Sequence, residues 1–573
     1  MEIRGLARKS EWTLIPSSPK IPAHLHNFAP TIGNFMTSFV PRQVFLNVWG
    51  TLFALIIVSL GSTVPAHAQV TAFKQAVAEA ASGDSEIAEF YRTRNYDPIW
   101  TGRAGRDAQR RRAFLSALEN AGDHALPVRR YDPTEIRAAL RAANTPRARG
   151  QLEVDLSRKF LQYARDIQTG ILVPSRVDEG IVRVVPRVNR LTLLQTLASR
   201  SPNGVFRALK PKTPEYNRLM AEKLRFERLL GRGGWGPDVA ARKLEPGDSG
   251  NQVVTLRNRL IAMGYMRRNA TQTYDAAIQQ AVQQFQLAHG LTPDGVAGQA
   301  TIQQLNVGVE NRLQSVIVAM ERERWLNRDR GDRHVLVNLT DFTAKIVDNG
   351  RVTFSTRSVV GKNQSDRRSP EFSDVMEHMV INPTWNVPRS IATEEYLPLL
   401  QQDPNAAGHM RITDARGQLV DRASIDFTQF DTHNFPFDIK QPPSRRNALG
   451  LVKFMFPNPH NIYLHDTPAK NLFAREVRDF SHGCIRLNDP FDFAYALLAR
   501  QVSNPEAFFQ ERLATGRETV VPLDVPIQVH LIYRTAFTEA RGRTQFRRDI
   551  YGRDRRIWNA LSQAGVALRA VRS

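Results

Sequence analysis

The chain has 573 residues, of which 78 are Lys or Arg and 56 are Asp or Glu, a formal net charge of +22. At roughly 150 residues per folded unit this length predicts three or four domains, and 42% apolar with 23% charged residues excludes collagen, coiled coil and bulk disorder. The single cysteine, Cys484, excludes an intrachain disulfide framework, a Cys-rich zinc site and an iron–sulfur cluster. The charge excess points to an anionic partner, with nucleic acid, anionic lipid and an acidic wall polymer all open.

At the N-terminus, Val44 to Leu60 form an uncharged apolar run of 17 residues, followed by Ala66-His67-Ala68. A small-x-small triplet behind such a run is what signal peptidase cleaves, so cleavage is expected after Ala68, with the mature protein in the periplasm. The 43 residues in front are long for an n-region. A start at Met36 leaves a short one containing Arg42, so residues 1–35 are expected to be a dispensable extension or a misplaced start. The alternative is an uncleaved anchor, the run being at the lower edge for spanning. This segment is the one expected membrane tether. Either way the body lies outside the cytoplasm, which argues against nucleic acid as partner.

Residues 70–231 read as a helical scaffold. Leu152, Leu156, Phe160, Tyr163 and Ile167 form one stripe of an amphipathic helix. Arg103, Arg106, Arg110, Arg111 and Arg112 are expected on a solvated helix face. Pro186 to Pro214 reads as a connector before a helix near Tyr216 to Leu230. Gly231 to Gly250 is a turn-rich linker. Residues 245–307 read as a three-helix module. Val253, Leu256 and Leu260 share one helical face, and Ile278, Val282 and Phe285 share another. Thr292-Pro293-Asp294-Gly295 is a turn before a short third helix. A helix follows over Glu310 to Leu326. From residue 333 to 537 the pattern is mainly β, with a hairpin signal at Asp348-Asn349-Gly350. A polar insertion over 394–440 interrupts it. Residues 541–573, with nine arginines, Arg541, Arg543, Arg547, Arg548, Arg553, Arg555 and Arg556 among them, read as a basic solvated tail. The fold class is therefore multi-domain α+β.

Chemistry concentrates around Ser481-His482-Gly483-Cys484-Ile485-Arg486-Leu487, with His465 nineteen positions upstream at the end of a β-like run. A thiol of pKa ~8.5 is a poor nucleophile at neutral pH until a neighbour takes its proton. A His at a strand end can do that and later protonate a leaving amine. Gly483 leaves room for the backbone N–H groups of Gly483 and Cys484 to face a developing oxyanion, one such donor contributing on the order of 10²–10³ in rate. Asp489 and Pro490 start a helix behind the loop. On residue chemistry alone, a small buried hydrophobe is the competing role for a lone Cys. A Cys/His metal site lacks further ligands, and no helical HExxH spacing occurs.

Taken whole, this motif and the upstream Tyr463-Leu464-His465-Asp466-Thr467-Pro468 closely resemble the signature of L,D-transpeptidases with a YkuD-type catalytic domain. Ile381 to Pro388 resembles the family's strand across the cleft, and Asn447 to Gly450 with Lys453 to Asn458 the segment leading to the His. Leu291 to Gly298 with Ala300-Thr301 and Leu305 resembles a peptidoglycan-binding domain. The whole arrangement is similar to the long, multi-domain YcbB-like members. Ser444-Arg445-Arg446 departs from the pattern, where a Gly and less charge are expected.

The resemblance implies a ping-pong acyl transfer needing neither metal nor cofactor. Cys484 is the implied nucleophile and His465 the base. Donor substrate is a meso-diaminopimelate tetrapeptide stem, D-Ala leaves, and a second stem's amine resolves the thioester as a 3→3 cross-link. Carbapenems are the implied covalent inhibitors. Asp466 is expected to orient the imidazole through its backbone carbonyl more than its carboxylate. Arg486 is expected either to bind a substrate carboxylate or to brace the loop. Ser481 and His482 are supporting positions. Residues 394–440 resemble a lid. Tyr396 and Trp385 are candidate substrate-facing aromatics, with core packing the competing role for Trp385, and Asn447 is a further substrate-binding candidate. Two other acceptors fit the same thioester: water, giving an L,D-carboxypeptidase, or a Lys on an envelope protein, giving protein-to-wall tethering. A non-catalytic wall-anchoring protein is the reading from another class; Cys484 and His465 both being present disfavours it.

Overall fold

The computed structural model describes residues 71–539 and 542–571. The expected signal segment, its cleavage site and the Met36 start lie outside them. Among the described residues no helix is long and apolar enough to cross a membrane. The fold is α+β: a helical N-terminal region, a small helical module and a β-rich C-terminal domain.

In the first region the long helix Pro146–Thr169 is central. Thr145 caps it through the Ala148 N–H and Pro146 occupies its first turn. Leu156, Phe160, Tyr163 and Ile167 of its stripe are buried in one core with Phe90, Trp100 and Phe114. The helix also buries charge. Glu153 is fully buried and accepts from the N–H groups of Ile99, Trp100 and Thr101. Two expectations fail here. The stretch read as a connector contains helices Arg190–Ser199 and Pro202–Leu209, each opened by a residue suited to a helix start, Asn189 and Pro202. The basic run is not all solvated. Arg110 is buried because Asp107 and the carbonyls of Leu197 and Ala198 satisfy its guanidinium.

The small module has helices Asn251–Ala262, Ala276–Ala288 and Gln299–Leu305 around Val253, Leu256, Leu260, Ile278, Val282 and Phe285. Its turn is fixed by Asp294, whose Oδ1 accepts from Val296 N–H and from Gln286 Nε2, while Gly295 takes φ +73°.

Helix Val309–Trp325 then runs through the centre of the molecule. Its apolar face holds Leu313, Ile317 and Met320, yet Glu321, Arg322, Glu323 and Arg324 are buried too. Each is paired. Glu321 accepts from Ile171 and Leu172 N–H in the scaffold and from Arg324. Arg322 bonds Glu371 of the β domain at 2.6 Å and Asp554 near the C-terminus at 2.9 Å. Glu323 meets Arg330 and Arg534. Burial of the four charges is tolerated because three parts of the chain supply their partners.

The β domain begins with strands β1 (Arg333–Asn338), β2 (Thr343–Asp348), β3 (Arg351–Gly361) and β4 (Ser373–Ile381). The short strands β5 (Trp385–Asn386), β6 (Arg411–Thr413) and β7 (Asp438–Gln441) form a separate three-stranded sheet. The main sheet resumes with β8 (Val452–Met455), β9 (Leu464–His465), β10 (Asp479–Ser481), β11 (Ile485–Leu487) and β12 (Thr519–Ile532). Its order is β10-β3-β11-β9-β8-β4-β12-β1-β2, and β2 pairs back onto β3, so the sheet closes on itself. Helix Pro490–Leu498 packs Phe493, Ala494 and Leu498 into its core.

Two boundaries change. The insertion runs from β5 to β7, not 394–440, because Leu397, Leu400, Met410, Ile412, Phe427, Phe435 and Ile439 give it a core of its own. Residues 541–573 are not a solvated tail. Strand β13 (Ala536–Phe537) pairs with β14 (Gln545–Phe546), and helix Arg553–Gln563 buries Ile557 and Leu561. Arg553 is 1% exposed, held by Asp178, Glu371 and the Ser369 carbonyl.

Candidate active site

Strand alternation builds the site. In 461–465, Ile462 and Leu464 enter the core, so Asn461, Tyr463 and His465 share the opposite face. Likewise Ile485 and Leu487 are core, and Cys484 and Arg486 turn the other way. β9 and β11 run parallel, with Leu464 beside Ile485 and His465 beside Arg486. Cys484 and His465 are thus diagonal neighbours on one face, and both line a cleft of about 570 Å³.

The Cys484 loop is tightly braced. Ser481 Oγ donates to the Cys484 carbonyl at 2.6 Å and accepts from Gly483 N–H at 3.2 Å. Ser369 Oγ donates to the Gly483 carbonyl at 2.6 Å. Gly483 adopts φ +115°, which a side chain resists, and an added Cβ would lie 3.2 Å from Ile462 Cδ1. The Gly483 N–H is therefore engaged within its own loop rather than turned to a substrate oxygen. Among the described residues the Cys484 N–H donates no hydrogen bond.

Burial pushes the Cys484 thiol up to about 11, with Tyr463 and the Arg486 charge opposing. Burial, joined by Arg486, pushes His465 down to about 3, against the carbonyls of Asp466 and Leu449. Both groups are neutral at pH 7. His465 Nδ1 is hydrogen-bonded to the Asp466 carbonyl, which can only accept, so Nδ1 carries the proton and Nε2 a lone pair. The Asp466 carboxylate is engaged away from the ring, accepting from Leu451 N–H at 2.9 Å and from Lys470 at 2.8 Å. Gly450 is required beside it, since a Cβ there would lie 2.2 Å from Asp466 Oδ2.

Arg486 lines the cleft, and among the described residues no carboxylate pairs with it. Its Nε is buried without a partner. Trp385 lines the cleft and also packs on the insertion core. Tyr396 does not reach the cleft; its ring packs against Trp385 at 6.3 Å. Asn447 is fully buried and organises its own loop, with Nδ2 donating to the carbonyls of Pro383, Gln441 and Pro442 and Oδ1 accepting from Leu449 N–H. It is buried behind the cleft wall and does not line the cleft. Arg445 and Arg446 are exposed away from the cleft lining.

Three cleft residues escaped the sequence reading. Tyr463 lines the cleft with Cys484 and Trp385 and its ring packs against His465 at 5.6 Å; the alternation that exposes His465 also exposes it. Arg367, between β3 and β4, and Glu395, in the insertion's first helical turns, meet the motif itself. Glu395 Oε1 lies 2.7 Å from His482 Nε2 and 3.0 Å from Arg367 Nη1. Although burial pushes Glu395 up, His482 and Arg367 hold its carboxyl below the usual range. No local pattern marks this pairing, which joins positions 87 residues apart. Among the described residues no group of three or more His, Cys, Asp or Glu is placed to hold a metal ion.

Comparison with known proteins agrees with this geometry. Residues 332–510 match the L,D-transpeptidase catalytic domain family, YkuD. The chain carries a YkuD-type L,D-transpeptidase catalytic domain. Residues 249–305 match the family described as "Putative peptidoglycan binding domain", and residues 85–222 match a family described as a scaffold domain. A protein of Haemophilus influenzae (strain ATCC 51907 / DSM 11121 / KW20 / Rd) named "Putative L,D-transpeptidase" is 33% identical over 262 residues, 45% of this chain. The match spans about half of that relative's length, 52%. Solved L,D-transpeptidases from Xylanimonas cellulosilytica and Stackebrandtia nassauensis are 16% and 14% identical, each match covering 52% of this chain and 100% and 97% of theirs. Their TM-scores of 0.16 and 0.20 are too low to bear on the fold. The transpeptidase domain therefore contains the whole Cys484 cleft, with the insertion as part of its wall.

Proposed function

We propose that the chain is an exported, periplasmic enzyme that forms 3→3 cross-links between peptidoglycan stem peptides through a Cys484 thioester. The observation carrying this reading is the common face of Cys484 and His465, with the imidazole in the tautomer that leaves Nε2 able to accept a proton. Cys484 Sγ attacks the carbonyl between the L-centre of meso-diaminopimelate and the terminal D-Ala of a tetrapeptide stem. The thiol proton passes to His465 Nε2, and the oxyanion takes the Cys484 N–H. Collapse breaks the C–N bond, His465 returns its proton to the departing D-Ala amine, and the thioester remains. An amine of a second stem then attacks it, giving its proton to His465. The C–S bond breaks and the sulfur recovers the proton. Arg486, without a protein counter-ion, pairs with a stem carboxylate. Ser481 and Asp466 position the loop and the ring.

Incubation with purified muropeptides and mass spectrometry test this. Cross-linked dimers with loss of D-Ala are expected. Shortened monomers alone would make water the acceptor, and acylation without either product would point to an envelope-protein Lys. A carbapenem is expected to add once to the intact chain and not to Cys484→Ala.

A further inference from the structure

A second groove, of about 440 Å³, lies between the small helical module, the transpeptidase domain and the C-terminal segment. One wall is the Gly290 to Pro293 turn of the module. The other carries Arg357 on β3 and Arg475 and Arg478 just before β10, with Arg547 and Arg548 closing the end. Five arginines thus face two carboxylates, and both carboxylates are already taken. Arg547 bonds Asp341 and Arg548 bonds Glu476, each at 2.5 Å.

The remaining three guanidiniums have no carboxylate of their own. Arg478 donates to the carbonyls of Ser358, Arg475 and Phe342. Arg357 is exposed and reaches only the Phe473 carbonyl. Arg475 is exposed, and its guanidinium has no partner among the described residues. Arg357 also lies close enough to Arg478 for the two positive charges to repel: burial and Arg357 together hold Arg478 down to about 10. Asp341 offsets part of this repulsion at Arg478, but it is already bonded to Arg547, and the positive charge left over favours an anionic ligand in the space between the guanidiniums.

We propose that this groove binds carboxylate-bearing peptide stems of the wall polymer at a site separate from the Cys484 cleft, so that one polymer strand is held by the module and the transpeptidase domain together. The proposal rests on the wall-polymer reading of the function. The groove and the nucleophile are covalently close. Arg478 precedes Cys484 by six residues, so the chain between them spans at most about 20 Å. Binding here would raise the local concentration of stems at the cleft without touching the chemistry.

The test uses the Cys484→Ala chain and measures affinity for solubilised peptidoglycan strands, native or with their carboxyl groups amidated. The double variant Arg357→Gln/Arg475→Gln alters exposed side chains whose one hydrogen bond among the described residues is that of Arg357 to the Phe473 carbonyl, at 3.3 Å. It is expected to weaken binding of native strands about three- to tenfold, as for two partly exposed charge pairs. Amidated strands should bind both proteins equally weakly. In the Cys484-containing parent, the same double substitution should leave iodoacetamide alkylation of Cys484 unchanged. Unchanged affinity in the double variant overturns the proposal and leaves the groove to an acidic protein segment. An equal loss for native and amidated strands also overturns it, since carboxylates would not be what the arginines read. If the unsubstituted groove binds neither polymer, the wall-polymer reading fails with it, an outcome distinct from the other two.

Discussion

At the cleft, the two reactive side chains are uncharged. Burial keeps Cys484 a thiol and His465 a neutral imidazole, and Arg486 stands beside them without a carboxylate. In helix Val309–Trp325, by contrast, four consecutive charged residues are buried and every one is paired. One region leaves charge uncompensated in an open cleft; the other compensates it fully where three parts of the chain meet. The difference separates chemistry from cohesion. Substitutions in the cleft should remove activity at little cost in stability, and substitutions in the helix should do the reverse.

The largest effect follows for Cys484→Ala and His465→Ala. Each is expected to lower cross-linking by on the order of 10³ or more, because nucleophile and base act as one unit. The thermal midpoint should hardly move. A melt several degrees lower with partial activity would break the comparison, by showing that the cleft residues serve the fold.

Next in size is Arg322→Met. It takes from Asp554 its one charged partner among the described residues and leaves Glu371 with Arg553 at 3.4 Å, and breaking a buried pair in this way costs about 3–5 kcal/mol. Urea unfolding should reveal it. The double change Glu371→Gln with Arg322→Met should recover part of the loss. Alkylation of Cys484 in the surviving folded fraction should stay at the parent rate.

The pH response sharpens the same contrast. A thiol raised to about 11 should be alkylated by iodoacetamide at a rate that climbs about tenfold per pH unit through neutrality and levels only near pH 11. A plateau near pH 6 would reveal a thiolate–imidazolium pair instead. Stability follows by linkage. His465 has its folded value near 3 and its ordinary value at 6.5. The unfolded chain therefore takes up the proton first, and stability falls as pH drops from about 6.5 toward 3. Cys484 has its folded value above 9.0, so its contribution is lost as pH rises from about 9 toward 11. His465→Gln should flatten the acid side of a urea-midpoint profile.

How much of this was legible depended on whether the signal was local. The Cys484 motif, its upstream His465 and the alternation Asn461 to His465 lie within single strands and loops, and the three-helix module announces itself by its periodic apolar faces. Arg553 reads as solvent-facing charge, and nothing local marks the Glu321 to Arg324 run as buried, because a sequence shows a charge but not the partner that allows its burial. Arg553 meets Asp178 across more than 370 residues, and Arg322 meets Asp554 across 232. Asn447 was misjudged for a related reason: a polar side chain near a motif resembles a substrate ligand until its three carbonyl partners are seen. The insertion looked polar because its core is spread thinly over two strands and several short turns.

The smallest effect lies where the insertion meets the motif. Glu395 joins His482 and Arg367 beside the cleft, but its side chain is 39% exposed, so solvent screens the contacts. A pair of this kind contributes about 0.2–1 kcal/mol. Glu395→Gln keeps the shape and one acceptor while removing the charge. It should therefore change the steady-state constant for the donor stem less than fivefold and leave the rate of Cys484 alkylation unaltered. A tenfold or larger fall in the acylation rate would mean that the insertion acts on the nucleophile itself, and the cleft would then share the tightly coupled charge seen in the central helix.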